Sequence, residues 1–274
     1  DLLAERRVNR SAGGSAANTV IAVSQFGGRG YYSCKIGDDE LGHLYAEDLK
    51  ANGVDTNAHD GSEPGSTGRC LVFVTPDADR TMATYLGITG GLGRSEVDTT
   101  ALENAGYLYI EGYLATSESA RDAAAHAREI ASRNDTPTAV SLSDPSIVTH
   151  FRDGLLEIIG PGVDLLFANE DEALGMTGSN DLDGAIEQLK SCAREFVITR
   201  GPRPSVAWTG SERVEIPAHA VEPLDTVGAG DMFAGAFLYG RSRGWSHGRA
   251  GRLASAACAR LIRSYGPRLE RSDA

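Results

Sequence analysis

No stretch of this chain reaches the roughly 18 apolar residues needed to cross a membrane as a helix, which sets aside an intrinsic membrane role. Cysteine is sparse. Cys34, Cys70, Cys192 and Cys258 stand apart, with no C-x-x-C pair and no histidine cluster beside them. That scatter favours free thiols over a zinc site or a disulfide scaffold, and with them a reducing, cytoplasmic setting. Basic residues are outnumbered, 26 against 38 acidic, for a net charge of −12, which argues against a general partner for nucleic acid or anionic membranes. A phosphorylated ligand stays open, because a helix N-terminus binds an anion locally whatever the net charge. Internal repeats, low-complexity segments and obvious linkers are lacking too. The opening Asp1-Leu2-Leu3-Ala4-Glu5-Arg6-Arg7 has neither an initiator methionine nor a signal-like apolar core, so the expectation is a sequence trimmed at its N-terminus.

What is present is an ordinary globular composition, 41% hydrophobic and 23% charged over 274 residues. That length fits one large α/β domain or two small ones, and one domain over 1–274 is expected. Gly13-Gly14 and Asn18 lead into a helix through Phe26 that Gly27-Gly28 stops. A strand at 31–37 precedes a helix whose acidic start, Asp38-Asp39-Glu40, reads as capping. Residues 70–75 and 80–85 flank Pro76-Asp77-Ala78-Asp79 and read as a β-hairpin, on which Arg80 reads as a solvated side chain. From Tyr107 onward strands (107–113, 138–144, 163–168, 196–201) alternate with helices (119–133, near 150–159, from Asn169), while 250–263 reads as a core-packing helix.

Short, nearly all-apolar strands separated by helices imply a parallel sheet covered on both faces, whose ligand crevice lies at the carboxyl ends of the strands. Glu111, Asp144, Asn169, Glu172, Thr199 and Asp231 all fall near such ends or the helix starts that follow. The stretch that organises the chain is Asp225-Thr226-Val227-Gly228-Ala229-Gly230-Asp231, between a strand at 214–216 and a helix with Phe233, Phe237 and Leu238 at helical spacing. Glycines flanking Ala229 let backbone N–H groups converge, and the helix adds its positive dipole end, making an anion hole. Asp231 in the first turn is placed to accept a proton from an attacking hydroxyl; the plainer alternative is a capping turn. Gly228, Gly230 and Gly235 do not fit the G-x-G-x-x-G dinucleotide spacing. Asn169 and Glu172 share a helix face and suit a hydrated hard cation or, equally, an N-cap with a first-turn glutamate.

Together these strings resemble the ribokinase (PfkB) family of carbohydrate and nucleoside kinases, from about Gly13 to Pro267. Every fixed position of its Asp-Thr-x-Gly-Ala-Gly-Asp signature is met by residues 225–231, and Gly13, Gly14 and Asn18 match its Gly-Gly-x-x-x-Asn signature. The Arg80-Thr81-Met82 and Leu86-Gly87 run is similar to the adenosine-kinase-like branch. The resemblance implies a three-layer α/β/α fold with a mostly parallel sheet and a small β lid at about 1–12 and 63–90. It implies transfer of the γ-phosphoryl group of ATP to a primary hydroxyl of a sugar or nucleoside, with Asp231 as base and the backbone of Gly228, Ala229 and Gly230 around the transferring group. Gly13, Gly14, Asn18 and Glu111 would bind the acceptor, and Thr199, Gly201, Thr226, Gly228 and Gly230 the ATP. Asn169 and Glu172 would order Mg²⁺ largely through water, and Asp225 and Val227 would hold a monovalent cation such as K⁺. Val227 replaces a frequent threonine, and Pro202-Arg203-Pro204-Ser205 departs from the family's second glycine. The family's first strand, with an acceptor-binding aspartate, precedes the point where this sequence starts. A monomer or a homodimer through the lid is expected. The alternatives are a non-catalytic sugar or nucleotide sensor and a phosphomethylpyrimidine-type kinase, and the sequence does not choose among adenosine, other nucleosides, ribose, fructose or a hexose derivative.

Overall fold

The computed structural model describes residues 11–58, 63–74 and 80–270. The turn 76–79, the first ten residues of the expected lid and the side chain of Arg80 lie outside the described residues. The chain runs α1 (Ser15–Gln25), β1 (Gly30–Tyr32), α2 (Glu40–Ala51), β2 (Val54–Thr56), β3 (Arg69–Val74), β4 (Arg80–Tyr85), α3 (Thr99–Glu103) and β5 (Leu108–Glu111). It continues α4 (Glu118–Arg133), β6 (Thr138–Ser141), α5 (Pro145–His150), α6 (Arg152–Ile159), β7 (Val163–Asn169), α7 (Glu170–Thr177) and α8 (Leu182–Leu189). It closes β8 (Ala193–Arg200), β9 (Arg203–Trp208), β10 (Arg213–Ile216), α9 (Ala229–Ser242) and α10 (His247–Leu261).

The central sheet has the order β10-β9-β8-β7-β6-β5. β5 to β8 are parallel, and β9 and β10 run antiparallel to their neighbours. Strand β7 shows why its run is continuously apolar. Successive side chains point to opposite faces, so Leu165 joins Phe167, Phe237 and Leu261 on one side while Leu166 joins Leu155, Met176 and Phe196 on the other. Each such leucine, fully removed from water, contributes about 1.5–3 kcal/mol. The first face is covered by α1, α9 and α10, and the second by α5 to α8. This is the expected three-layer arrangement.

Four local readings change. The helix near 150–159 forms as α6, and a further short helix, α5, precedes it and ends at Phe151, where φ is −130°. Helix α8 and strand β9 were not anticipated. The prolines that mark 202–205 as a loop instead sit in the turn Gly201–Pro202 and beside a β-bulge between Ile198 and Arg200, a place where a strand tolerates Pro204 without a ladder N–H. Of the strand read at 31–37 only β1 forms, pairing with β2 outside the central sheet. The hairpin β3–β4 forms as expected, in antiparallel register with Val72 opposite Met82. Its Phe73, Met82 and Tyr85 stay largely exposed. Among the acidic trio, Asp39 is the N-cap of α2 and accepts the Gly42 N–H at 2.8 Å.

Candidate active site

The register of the parallel strands fixes which residues share the carboxyl edge of the sheet. Glu111 lies opposite Ser141, Ser141 opposite Phe167, and Asn169 opposite Thr199. Over that edge two helix starts converge. The Gly235 backbone lets α9 close on α1, since a Cβ there would come within 2.5 Å of the Thr19 carbonyl oxygen and 2.6 Å of Ala22 Cβ. The helices therefore meet backbone to backbone, and their first turns face each other.

The polar contacts follow from that crossing. Ser15 Oγ donates to Asp231 Oδ1 at 2.8 Å, and Asn18 Nδ2 donates to Asp231 Oδ2 at 2.9 Å. One residue on, the Ala16 N–H donates to Glu111 Oε2 at 2.7 Å. Gly14 is the N-cap of α1, and the Gly13 carbonyl accepts the Tyr45 hydroxyl at 2.9 Å. The structure thus brings together Gly13, Gly14, Asn18, Glu111 and Asp231. Burial pushes the Glu111 carboxyl up to about 7; the Ala16 N–H opposes that, and the neighbouring Asp231 charge adds to it. Burial and then Asp231 also raise the thiol of Cys258, to about 12. Its Sγ lies 3.1 Å from the Ala229 carbonyl oxygen.

The start of α9 carries no side-chain cap. Gly228 is its N-cap with φ at +75°, and a Cβ there would fall 2.5 Å from the Pro267 carbonyl oxygen, so both conformation and space demand glycine. Around Gly230, by contrast, a Cβ would meet nothing within 4 Å. The first intrahelical bond runs from the Met232 N–H to the Gly228 carbonyl at 2.8 Å, while the Ala229 N–H turns back to the Thr226 carbonyl at 3.2 Å. First-turn N–H groups have no intrahelical acceptor, and the helix places about half a positive charge there. Asp225 fastens the turn: its carboxylate accepts the Val227 N–H and the Gly266 N–H, each at 2.9 Å.

Asn169 and Glu172 form a complete capping box. Asn169 Oδ1 accepts the Glu172 N–H at 2.8 Å, and the two Glu172 oxygens accept the Asn169 N–H at 2.9 Å and its Nδ2 at 2.8 Å. Glu172 is only 5% exposed, and burial foremost raises its carboxyl to about 7 against the pull of the Asn169 N–H. Thr199 stands beside Asn169 on the same edge, and Gly201 sits in the turn between β8 and β9.

Three features escaped the sequence reading. Ser15 holds Asp231, and its place directly after Gly13-Gly14 at a helix start was the signal available. Arg268 Nε donates to Asn18 Oδ1 at 2.8 Å, with no motif to announce it. A cavity of about 660 Å³ opens between the loop at His219 and Val221 and the outer face of α10 at Ala256, Ala259 and Arg260, with Arg263 just past the end of that helix. Only the other face of α10, with Ala250, Ala254, Ala257 and Leu261, packs in the core. The same loop leads into the turn at Asp225, which Ile262 pins by accepting the Leu224 and Asp225 N–H groups at 2.7 and 3.2 Å.

The family model for pfkB family carbohydrate kinases matches residues 1–273. The structure of adenosine kinase from Sinorhizobium meliloti is 36% identical and superposes with a TM-score of 0.91, over 96% of this chain and 81% of that one. An Escherichia coli protein assigned as ribokinase II, solved with ATP and Mg²⁺, is 25% identical with a TM-score of 0.86, over 97% and 87% of the two chains. Fructokinase-2 of Solanum habrochaites is 27% identical over 239 residues, 84% of this chain and 72% of that protein.

Proposed function

We propose that this chain, which belongs to the pfkB family of carbohydrate kinases, transfers the γ-phosphoryl group of ATP to the primary hydroxyl of a nucleoside, with adenosine the first acceptor to test. The observation that carries the chemistry is the pairing of Asp231 with an uncapped helix start: a carboxylate oriented by Ser15 and Asn18, one residue from a Gly230 that faces open space. In an in-line displacement the acceptor hydroxyl loses its proton to Asp231 as its oxygen attacks the γ-phosphorus, and the bond from phosphorus to the bridging oxygen breaks with its electrons leaving on ADP. The backbone N–H groups of Gly228 and Gly230, on either side of an Ala229 N–H that the Thr226 carbonyl holds in the turn, then stabilise charge on the transferring oxygens, and the dipole of α9 reinforces them. Asn18, Glu111 and the backbone at Gly13 and Gly14 bind the acceptor hydroxyls on the α1 side. The nucleotide base enters the cavity lined by His219, Val221 and α10, whose size is ordinary for a ligand of that class. Thr199, Gly201 and Thr226 border the path of its phosphates.

Oxygen donors at Asn169 and Glu172 fit a hydrated hard cation, and because the cap already uses both Glu172 oxygens they would order Mg²⁺ through water. When bound, Mg²⁺ supplies charge neutralisation on the ATP phosphates. A monovalent cation such as K⁺ would be held at Asp225 and the Val227 backbone, where the turn meets the segment after α10. The β3–β4 hairpin acts as the lid, its exposed Phe73, Met82 and Tyr85 meeting the acceptor base or a second lid.

The adenosine assignment is supported by the 36% identity to the S. meliloti enzyme and by the Arg80-Thr81-Met82 run; the fructokinase relative keeps a sugar as the second reading. ADP release from ATP and Mg²⁺ should be measured with adenosine, guanosine, ribose and fructose, in KCl and in NaCl. Adenosine is expected to give the highest kcat/KM and KCl the higher rate. A larger kcat/KM for fructose or ribose would replace the acceptor, and equal rates in the two salts would remove the cation.

A further inference from the structure

Residues 266–269 form a strap that closes over the paired helix starts, with each consecutive residue engaged. The Gly266 N–H holds Asp225, the Pro267 backbone packs against Gly228, and Leu269 is buried while its carbonyl accepts Gln25 Nε2 at 2.8 Å. Between them Arg268 points inward, its side chain 13% exposed. Nε donates to Asn18 Oδ1 at 2.8 Å and Nη1 to Asp48 Oδ2 on α2 at 2.5 Å. Neither the family signature strings nor the acceptor and nucleotide contacts above assign it a task.

We infer that Arg268 is the positioning residue for the catalytic carboxylate, acting through the Asn18 amide. This rests on the reading of Asp231 as the base. The two ends of an asparagine amide have nearly the same shape and opposite hydrogen-bonding character. Turned over, Asn18 would set its oxygen against the Asp231 carboxylate, two acceptors face to face. A guanidinium is donor-only, so Arg268 accepts nothing but the Oδ1 end and thereby commits the NH₂ end to Asp231. Asp48 fixes the far side of the guanidinium and balances its charge, so its effect on Asp231 is orientational and passes along the chain Asp48, Arg268, Asn18, Asp231. Asn18 is 6% exposed, so water is a poor substitute for the missing donor. Acceptor hydroxyls that arrive and leave at Asn18 then find the base already aimed.

The test separates the donor from the bulk. In Arg268→Gln the Nε2 atom falls where Arg268 Nε now lies; in Arg268→Met a methyl carbon falls there. ADP release with ATP, Mg²⁺ and whichever of adenosine, ribose and fructose the wild type turns over fastest should show a kcat about 10²-fold lower in R268M, an unchanged KM for ATP, and most of the loss restored in R268Q. In an Asn18→Ala background the R268M effect should vanish, because the two act through one contact. The Asn18 side-chain amide protons, followed by NMR without any acceptor, should exchange with water faster in R268M than in R268Q. Should R268M fail to fold, Asp48→Ala frees the guanidinium from the far side and should lower kcat partially, again only when Asn18 is present. Equal behaviour of the Gln and Met variants, full additivity with N18A, or wild-type kcat in D48A overturns the inference. If that happens while Asp231→Asn abolishes transfer, phosphotransfer stands and only the positioning role falls; undiminished turnover in D231N removes the reading beneath it.

Discussion

Two helices begin at the carboxyl edge of the same sheet, and they begin in opposite ways. Helix α7 is sealed by its own chain: Asn169 and Glu172 exchange three hydrogen bonds and lie half-buried and buried. Helix α9 has no side-chain cap, starts on a glycine in the left-handed region, and presents Gly230 to open space. Its first-turn carboxylate is gripped from another helix, by Ser15 and Asn18 of α1. A start finished by its own side chains is complete as structure, and a ligand reaches it only through water. A start left unfinished, yet rigidly braced from outside, keeps its N–H groups and dipole for something that comes and goes.

The largest way to break this contrast is Asp231→Asn. Steady-state ADP release should fall by about 10²–10⁴-fold while ATP still binds by calorimetry. A turnover comparable to wild type would make α9 no different from α7. Next comes a pair of alanines on the two sides of Ala229. G228A forces a side chain to φ +75° and into Pro267, and should cost about 1–3 kcal/mol of stability. G230A has room, so its melting should stay within about 0.5 kcal/mol of wild type while transfer drops, because the methyl occupies the space a phosphate needs. Equal melting of the two would dissolve the distinction between brace and opening. At α7, Asn169→Ala should lower stability by about 1 kcal/mol through the lost cap, and should raise the Mg²⁺ concentration needed for half-maximal rate. A stability loss with unchanged Mg²⁺ response would leave α7 purely structural.

The smallest effect is a slope. Glu111 has its folded carboxyl raised from 4.5 to about 7, so the folded state holds this proton more tightly than the unfolded chain does. Its favourable contribution is full below about 4.5 and is lost as pH rises through about 7. The stability of wild type relative to Glu111→Gln, measured by denaturant titration, should therefore decline over that window. A flat difference would mean that Glu111 is wetter than the α1 contact suggests.

How far the sequence reveals this site depends on what kind of force places each residue. Gly228, which a left-handed turn demands, and Asp231 close behind it are legible because backbone sterics leave few alternatives at a turn before a helix, whereas the need for glycine at Gly235 shows only once α1 lies against it. Apolar periodicity likewise reveals β5 to β8, since burial on both faces permits little else. Arg268 is illegible: an arginine in a loop carries no periodicity, and its role exists only because α10 returns the chain over α1 and α2. Strand β9 hides for a related reason, as Pro204 suggests a loop until the bulge at Ile198 and Arg200 supplies a place for it. The double nature of α10 also needs the fold, because core face and cavity face have similar small residues at Ala254, Ala256, Ala257 and Ala259.

The hydrogen bond from Ser15 to Asp231 joins positions 216 apart, and the strap that aims Asn18 comes later still. A fragment ending before Gly266 lacks the contacts that the strap makes to Asp225, Gly228 and Asn18, so the paired helix starts are braced only when the last of these residues docks. Onset of turnover during refolding should accordingly mark the final docking event, making the enzyme its own clock for completion.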